Sequence, residues 1–190
     1  MKRTAFRVQI AGVALEKLVF LDEAGFSLNL HRLYGWAIGG SRCECQVPFN
    51  KGQNRSVVGA YSLPSENNPT GLWALWQKLG AWTALLYEMF LEEAVLPYVP
   101  EGSVLVMDNA RIHHGPNLQK IVEKAGCSIL YLPPYSPDFN PIELVWSWIK
   151  GQVRLLAPRD DDSRQRDIWI AQDALPASAA KGWFQKCGLI

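Results

Sequence analysis

Apolar positions change rhythm along this chain, and the changes predict its elements. The unbroken run Leu18-Val19-Phe20-Leu21 predicts a short buried strand that delivers Asp22 and is bounded by Gly25. Residues 27–33 can form its hairpin partner, with turns at Gly35 and at Gly39-Gly40. A third strand is expected around residues 45–49 and a further one over 56–62, before a polar loop over 64–71.

The rhythm then becomes helical. Trp82, Leu85, Leu86, Met89, Phe90 and Glu93 recur at the spacing of one helix face. Five of these six are apolar, which predicts a helix with one buried face, the acids Glu88, Glu92 and Glu93 lying mostly elsewhere, and ended by Pro97 and Pro100. Val104-Leu105-Val106-Met107 has no polar alternation, as in a strand deep in a sheet. A short helix over 117–124 stops at Gly126, and residues 128–132 read as another strand. Asn140-Pro141-Ile142-Glu143 is a helix start: Asn as N-cap, Pro at the first helical position, an acid at the third. This helix continues through Leu144, Val145, Trp148 and Ile149. The charged stretch 159–167 is expected to be an exposed loop, and residues 178–186 a last helix. The succession predicts an α/β fold, a mixed central sheet flanked by helices.

Composition narrows the picture. A chain of 190 residues that is 48% hydrophobic, with eight Trp, suits one domain with a sizeable core. Trp146, Trp148, Trp169 and Trp183 are expected in that core. No apolar run reaches the roughly 18 residues of a membrane span, and the N-terminus carries no secretory pattern. Cys43 and Cys45 lack the second pair of a zinc site, so these two and Cys127 and Cys187 read as reduced cytosolic thiols. The net charge of +1 hides an uneven distribution. Residues 1–60 carry eight Lys/Arg against four acids, 61–110 one against six, and 111–190 ten against eight. This pattern permits contact with nucleic acid without arguing for it. Lys2, Arg3 and Arg7 form a basic N-terminal arm able to follow a phosphate backbone.

The candidate chemistry lies in three carboxylates. Asp22 and Asp108 each close a hydrophobic run, and Glu143 opens a helix. An ionised carboxylate beside buried strands is costly unless paired, and a divalent metal is one such partner. Glu143 can also serve as the acid of a capping box, and the two roles are compatible at the positive end of a helix. Asp138 is expected to make a local bond in a Pro-rich turn, and Glu23 to point away from Asp22. Asn109 and His113 are expected beside the metal site. A hard ion prefers oxygen, so His113 is read as a DNA or carboxylate contact rather than a ligand. Arg111 is a candidate phosphate contact, or an ordinary solvated Arg.

Three blocks then carry a resemblance: Phe20-Leu21-Asp22-Glu23-Ala24-Gly25-Phe26; Met107-Asp108-Asn109 with His113; and Leu132-Pro133-Pro134-Tyr135-Ser136-Pro137-Asp138-Phe139-Asn140-Pro141-Ile142-Glu143. Over about residues 15–150 the chain resembles the DDE transposases of the mariner superfamily, closest to the bacterial insertion-sequence branch, and its Gly182–Gly188 end also looks like that branch. The resemblance implies an RNase H-like fold, with Asp22, Asp108 and Glu143 as catalytic residues and metal ligands. It implies excision of an element at its terminal inverted repeats and insertion at TA, in the bacterial cytoplasm at the nucleoid. Family members carry helix-turn-helix domains before the first catalytic Asp. Only 21 residues precede Asp22, so residues 1–190 are expected to be the catalytic half alone.

The expected chemistry is two-ion phosphoryl transfer. Asp22 would bridge two Mg²⁺ ions, with Asp108 and Glu143 each completing one site and Mn²⁺ able to substitute. Water attacks first, then the freed 3′-OH. The expected partners are transposon ends and target DNA, a second copy in a homodimer, and a separately encoded DNA-binding half; no membrane is involved. Three rivals stay open: another RNase H-like nuclease, a transposase remnant acting as an interaction module, and a small-molecule metallohydrolase.

Overall fold

In a computed structural model, residues 2–32, 34–44 and 49–190 are described. Five strands form one mixed sheet: β1 (Leu18–Phe26), β2 (Arg55–Tyr61), β3 (Leu72–Leu79), β4 (Val104–Met107) and β5 (Ser128–Tyr131). Their order is β3-β2-β1-β4-β5. The three early strands pair antiparallel, and β1, β4 and β5 run parallel. Helices flank both faces, as the pattern predicts.

Period-two alternation splits the central strands between two cores. Phe20, Val57, Tyr61 and Val106 face one core, under α1 (Lys2–Ala11), α4 (Ile142–Leu156), α5 (Asp161–Asp173) and α6 (Ala180–Lys186). Val19, Leu21, Val58, Leu105 and Met107 face the other, under α2 (Ala84–Phe90) and α3 (Leu118–Lys124).

Several expectations change. Residues 27–32 form no hairpin partner; β1 pairs with β2 instead. Gly39-Gly40 does turn, with Gly40 at φ 84°. Most of the strand expected over 45–49 lies outside the described residues. Strand β3, which the apolar pattern leaves unassigned, is an edge strand of half-buried residues without alternation. The helix at 82–93 exists, but its buried face is displaced. Tyr87, Phe90, Leu91 and Val95 are buried, while Leu85 and Met89 are exposed. After Phe90 the helix widens into a π turn over Leu91–Val95, which re-aims its later side chains. Glu88 is buried because it accepts hydrogen bonds from the Asn117 backbone N–H (2.9 Å) and side chain (3.4 Å) at the start of α3.

The stretch 159–167 is not an exposed loop. Asp160 caps α5 reciprocally with Ser163, the Ser163 N–H donating to Asp160 Oδ1 at 2.7 Å. Arg164 is buried, donating to the carbonyls of Phe26 and Gln53, both at 2.9 Å. It shares Asp161 with Arg55, so α5 is latched to the facing ends of β1 and β2. Trp169, expected in the core, is 56% exposed on this helix.

The basic N-terminal arm is helix α1. Phe6 and Ile10 are buried in the first core, and Phe6 stacks on Phe139. Arg3 donates to Ser136 Oγ (2.8 Å) and Asp138 (2.9 Å) and lies over the Phe139 ring, so it is engaged with protein. Asp138 therefore pairs with α1, 135 residues away, rather than bonding only locally. No helix is long and apolar enough to cross a membrane. Cys43, Cys127 and Cys187 are free thiols.

Candidate active site

Strand register brings the first two carboxylates together. In the parallel pair, Leu18 lies against Val104, Val19 against Leu105 and Phe20 against Val106. Carried two places on, that register sets Asp22 level with Asp108. Phe20 and Val106 share one core, so alternation puts both carboxylates on that same face, beneath α4. Glu23 falls on the opposite face.

Glu143 arrives from above. The chain runs from β5 through Leu132 and the Pro-rich segment, and the Leu132 N–H donates to Met107 O at 2.8 Å. Asn109 ties the same two strand ends, its side-chain amide donating to Leu132 O at 2.9 Å. Arg3 and α1 hold Ser136 and Asp138 from outside. The helix then starts with Asn140 extended and its carbonyl accepting from the Glu143 N–H at 3.2 Å. Contrary to the capping expectation, Pro141 rather than Asn140 stands at the N-cap, and the Asn140 side-chain oxygen accepts no cap bond. Asn140 is buried, and its Oδ1 has no hydrogen-bond partner.

The result is one open cavity of about 440 Å³. Asp22, Asp108, Asn109, Asn140 and Glu143 line it, with the segment from Leu132 to Pro137 as a wall. Tyr135 stands at this wall fully exposed, in a left-handed conformation at φ 55° that a non-Gly residue rarely adopts.

The three acids are held differently. Burial, then the charge of Glu143 and more weakly that of Asp108, push the Asp22 carboxyl up to about 7. The Glu23 backbone N–H works against that rise, and so, more weakly, does the Trp146 indole N–H, which donates to Asp22 Oδ2 at 3.2 Å. Burial also raises Glu143, and Lys150 opposes it. Asp108 is lowered, chiefly by its hydrogen bond to His113 and further by the Ala110 N–H at 2.9 Å.

His113 does not present its ring to solvent, where a DNA phosphate would contact it. It is buried, 4.5 Å from the Tyr87 ring centroid, with Nδ1 2.8 Å from Asp108 Oδ1 and 3.0 Å from the Asp108 carbonyl. Both neighbours are acceptors, so Nδ1 carries the proton and donates. Arg111 is exposed on the 3₁₀ turn Arg111–His114, outside the cavity lining. Trp146 and Asn140 are site residues the sequence reading did not single out; both lie in the block around Glu143.

A divalent ion suits this donor set. Three carboxylates line one cavity, and burial together with repulsion from the other two lifts Asp22, the most buried of them. Among the described residues, no three His, Cys, Asp or Glu side chains stand close enough together to hold one ion between them.

Comparison with solved structures places the architecture. The chain matches the Mos1 transposase paired-end complex with left transposon end at TM-score 0.70 and 17% identity, over 98% of this chain and 57% of that one. A Mos1 paired-end complex with Mg matches at 0.71 and 16%, over 98% and 57%. The catalytic domain of Mos1 mariner transposase matches at 0.64 and 14%, over 98% and 85%. These likenesses show an RNase H-like fold. The chain spans 57% of the length of the Mos1 chain in the first of these complexes. No curated protein matched. A family model described as DDE superfamily endonuclease covers residues 17–165, which include Asp22, Asp108 and Glu143, and by that match the chain belongs to the DDE superfamily endonucleases.

Proposed function

We propose that this chain is a transposase catalytic domain that cuts a DNA strand and joins the freed 3′-OH to a target strand. One observation carries the reading: three carboxylates from two adjacent strands and a helix start line a single open cavity. The chain resembles bacterial insertion-sequence transposases, which points to terminal inverted repeats as substrate and TA as target.

Asp22, Asp108 and Glu143 would hold the divalent ions. When bound, Mg²⁺ or Mn²⁺ supplies charge neutralisation and activation of the attacking oxygen at the phosphodiester, two ions being the expected number. The chain's own contribution is placement. Asp108 stays ionised and oriented because His113 and the Ala110 N–H hold it. Glu143 sits in the first turn of α4, where backbone N–H groups favour negative charge. The Pro-rich wall is braced by Arg3, so the cavity does not depend on a free loop.

The proposed partners are transposon ends and target DNA, a second copy of the chain, and a DNA-binding half supplied separately or by a longer chain. The test is a strand-transfer assay with pre-cut transposon-end duplexes and a supplied DNA-binding half. Joined product from the wild type and none from Asp108→Asn is expected. Nicked duplex without joined product would instead assign a plain RNase H-like nuclease. No cleavage, with no Mn²⁺ binding by calorimetry even in the presence of DNA, would assign a non-enzymatic interaction module.

A further inference from the structure

Trp146 is among the largest fully buried side chains, and its indole N–H reaches Asp22 Oδ2 at 3.2 Å. The buried indole N–H of Trp82 goes without an acceptor, so burial alone does not force this bond, and a carboxylate beside two other acids is a costly acceptor to choose for packing alone. Trp146 lies three residues after Glu143 on α4, so the two project on the same side of the helix. The helix that delivers one carboxylate to the cavity thus also grips another. The sheet is shaped for this grip. Gly59 pairs directly with Asp22 across β1 and β2. A Cβ at Gly59 would lie 2.7 Å from Trp146 Cη2 and 3.2 Å from Cζ2, too close for the ring to remain. Trp73 offers a contrast: its indole N–H goes to a neutral acceptor, Ser62 Oγ, at 2.8 Å.

We propose that Trp146 is a positioning residue for Asp22. Its N–H holds Oδ2 from α4 while the Glu23 backbone N–H holds the carboxylate from β1, and Gly59 is the slot that admits the ring. This rests on the reading of Asp22 as a metal-binding carboxylate. Asp22 and Glu143 are thereby set at a spacing that the rigidity of α4 maintains, rather than by independent rotamers.

The test is calorimetric Mn²⁺ titration of wild type, Trp146→Phe, Gly59→Ala and Asp108→Asn, with steady-state cleavage of a transposon-end duplex. Trp146→Phe keeps an aromatic filling and removes the N–H. Its Mn²⁺ affinity and kcat are expected to fall by about 10- to 100-fold, with KM for DNA unchanged. Gly59→Ala is expected to do the same by displacing the ring. If Trp146→Phe keeps both quantities within about twofold of wild type while Asp108→Asn loses Mn²⁺, the positioning role is wrong and the site reading stands. If the wild type itself shows no Mn²⁺ binding that Asp108→Asn removes, the site reading fails and this proposal falls with it. A measurement on the unaltered protein guards against misfolded variants. Mn²⁺ should broaden the Trp146 indole N–H resonance before that of Trp73, and a Trp146 resonance unchanged at saturating Mn²⁺ overturns the proposal.

Discussion

Asp22 and Asp108 stand level on adjacent strands, on one face of one sheet, yet their surroundings are opposite. Asp22 is closed in by the core under α4 and by two like charges, with the Glu23 backbone N–H and the Trp146 indole N–H only partly offsetting them, and its carboxyl rises to about 7. Asp108 has a side chain 53% exposed, rests against His113 and the Ala110 N–H, and is lowered. The same residue type thus arrives at one cavity in two conditions. Asp108 is ready ionised, whereas Asp22 near neutral pH is only partly ionised and holds its charge at a cost until something positive compensates it. That asymmetry suits a site completed by cations, and it can be broken or sharpened experimentally.

The largest effect should come from removing either charge. Asp22→Asn and Asp108→Asn each forfeit metal stabilisation of several kcal/mol, so cleavage should fall by roughly a thousandfold or more. A variant with near-wild-type cleavage in a gel assay would remove that residue from the catalytic set. Next comes His113→Ala, which frees Asp108 without touching the cavity. Single-turnover rates should drop by about 10- to 100-fold and Mn²⁺ affinity should drop in parallel.

The sharpest test of the comparison is stability without metal, because the same substitution should act with opposite sign. At pH 8, Asp22→Asn removes a charge held at a cost and should stabilise by about 1–3 kcal/mol in urea unfolding. Asp108→Asn loses a favourable, half-exposed pairing and should destabilise by less than about 1 kcal/mol. The pH dependence follows from the same signs. Between the ordinary carboxylate range of about 4 and a folded value of about 7, Asp22 binds more protons folded than unfolded. Its contribution therefore makes stability decline as pH rises through that window, then level off. Asp108, lowered when folded, adds stability as pH rises through the carboxylate range and loses it in acid. Asp22→Asn should flatten the decline, and saturating Mn²⁺ should do so in the wild type; a decline unchanged by both would remove Asp22 as its source. The smallest effect is a control at the far end of α4. Ala157 ends that helix in a left-handed conformation at φ 52°, so Ala157→Gly should add about 0.5–1 kcal/mol and leave cleavage unchanged.

Much of the frame was legible in the sequence. The runs at Leu18–Leu21 and Val104–Met107 are central strands buried on both faces, and such strands need no alternation to be recognised. The start of α4 was legible from Asn140-Pro141-Ile142-Glu143, although its capping chemistry was not, since Asn140 turns its side chain into the cavity wall. Strand β3 escaped because an edge strand of half-buried Trp and Leu has neither an alternating nor a continuous pattern. Helix α5 escaped because Arg164 and Asp167 hide its buried face under charge; Asp160 followed by Ser163, with Ile168, Ala171 and Leu175 beyond, was the available signal. The face of α2 was displaced because Glu88 is buried as a partner for Asn117, a contact 29 residues away that periodicity does not register.

By itself, the sequence determined which residue types were available: two acids closing buried runs, a third in the first turn of a helix, and the local propensities that make those runs strands and that start a helix. These are short-range properties, carried by neighbours within a turn or a strand. Only the tertiary structure decided that β1 and β4 run parallel in the register that levels Asp22 with Asp108, that Gly59 opens room for Trp146, and that His113 turns inward to Asp108 rather than outward. Those outcomes depend on pairings between residues distant along the chain, and burial and neighbouring charge, which make Asp22 and Asp108 different acids, exist only once those pairings have formed.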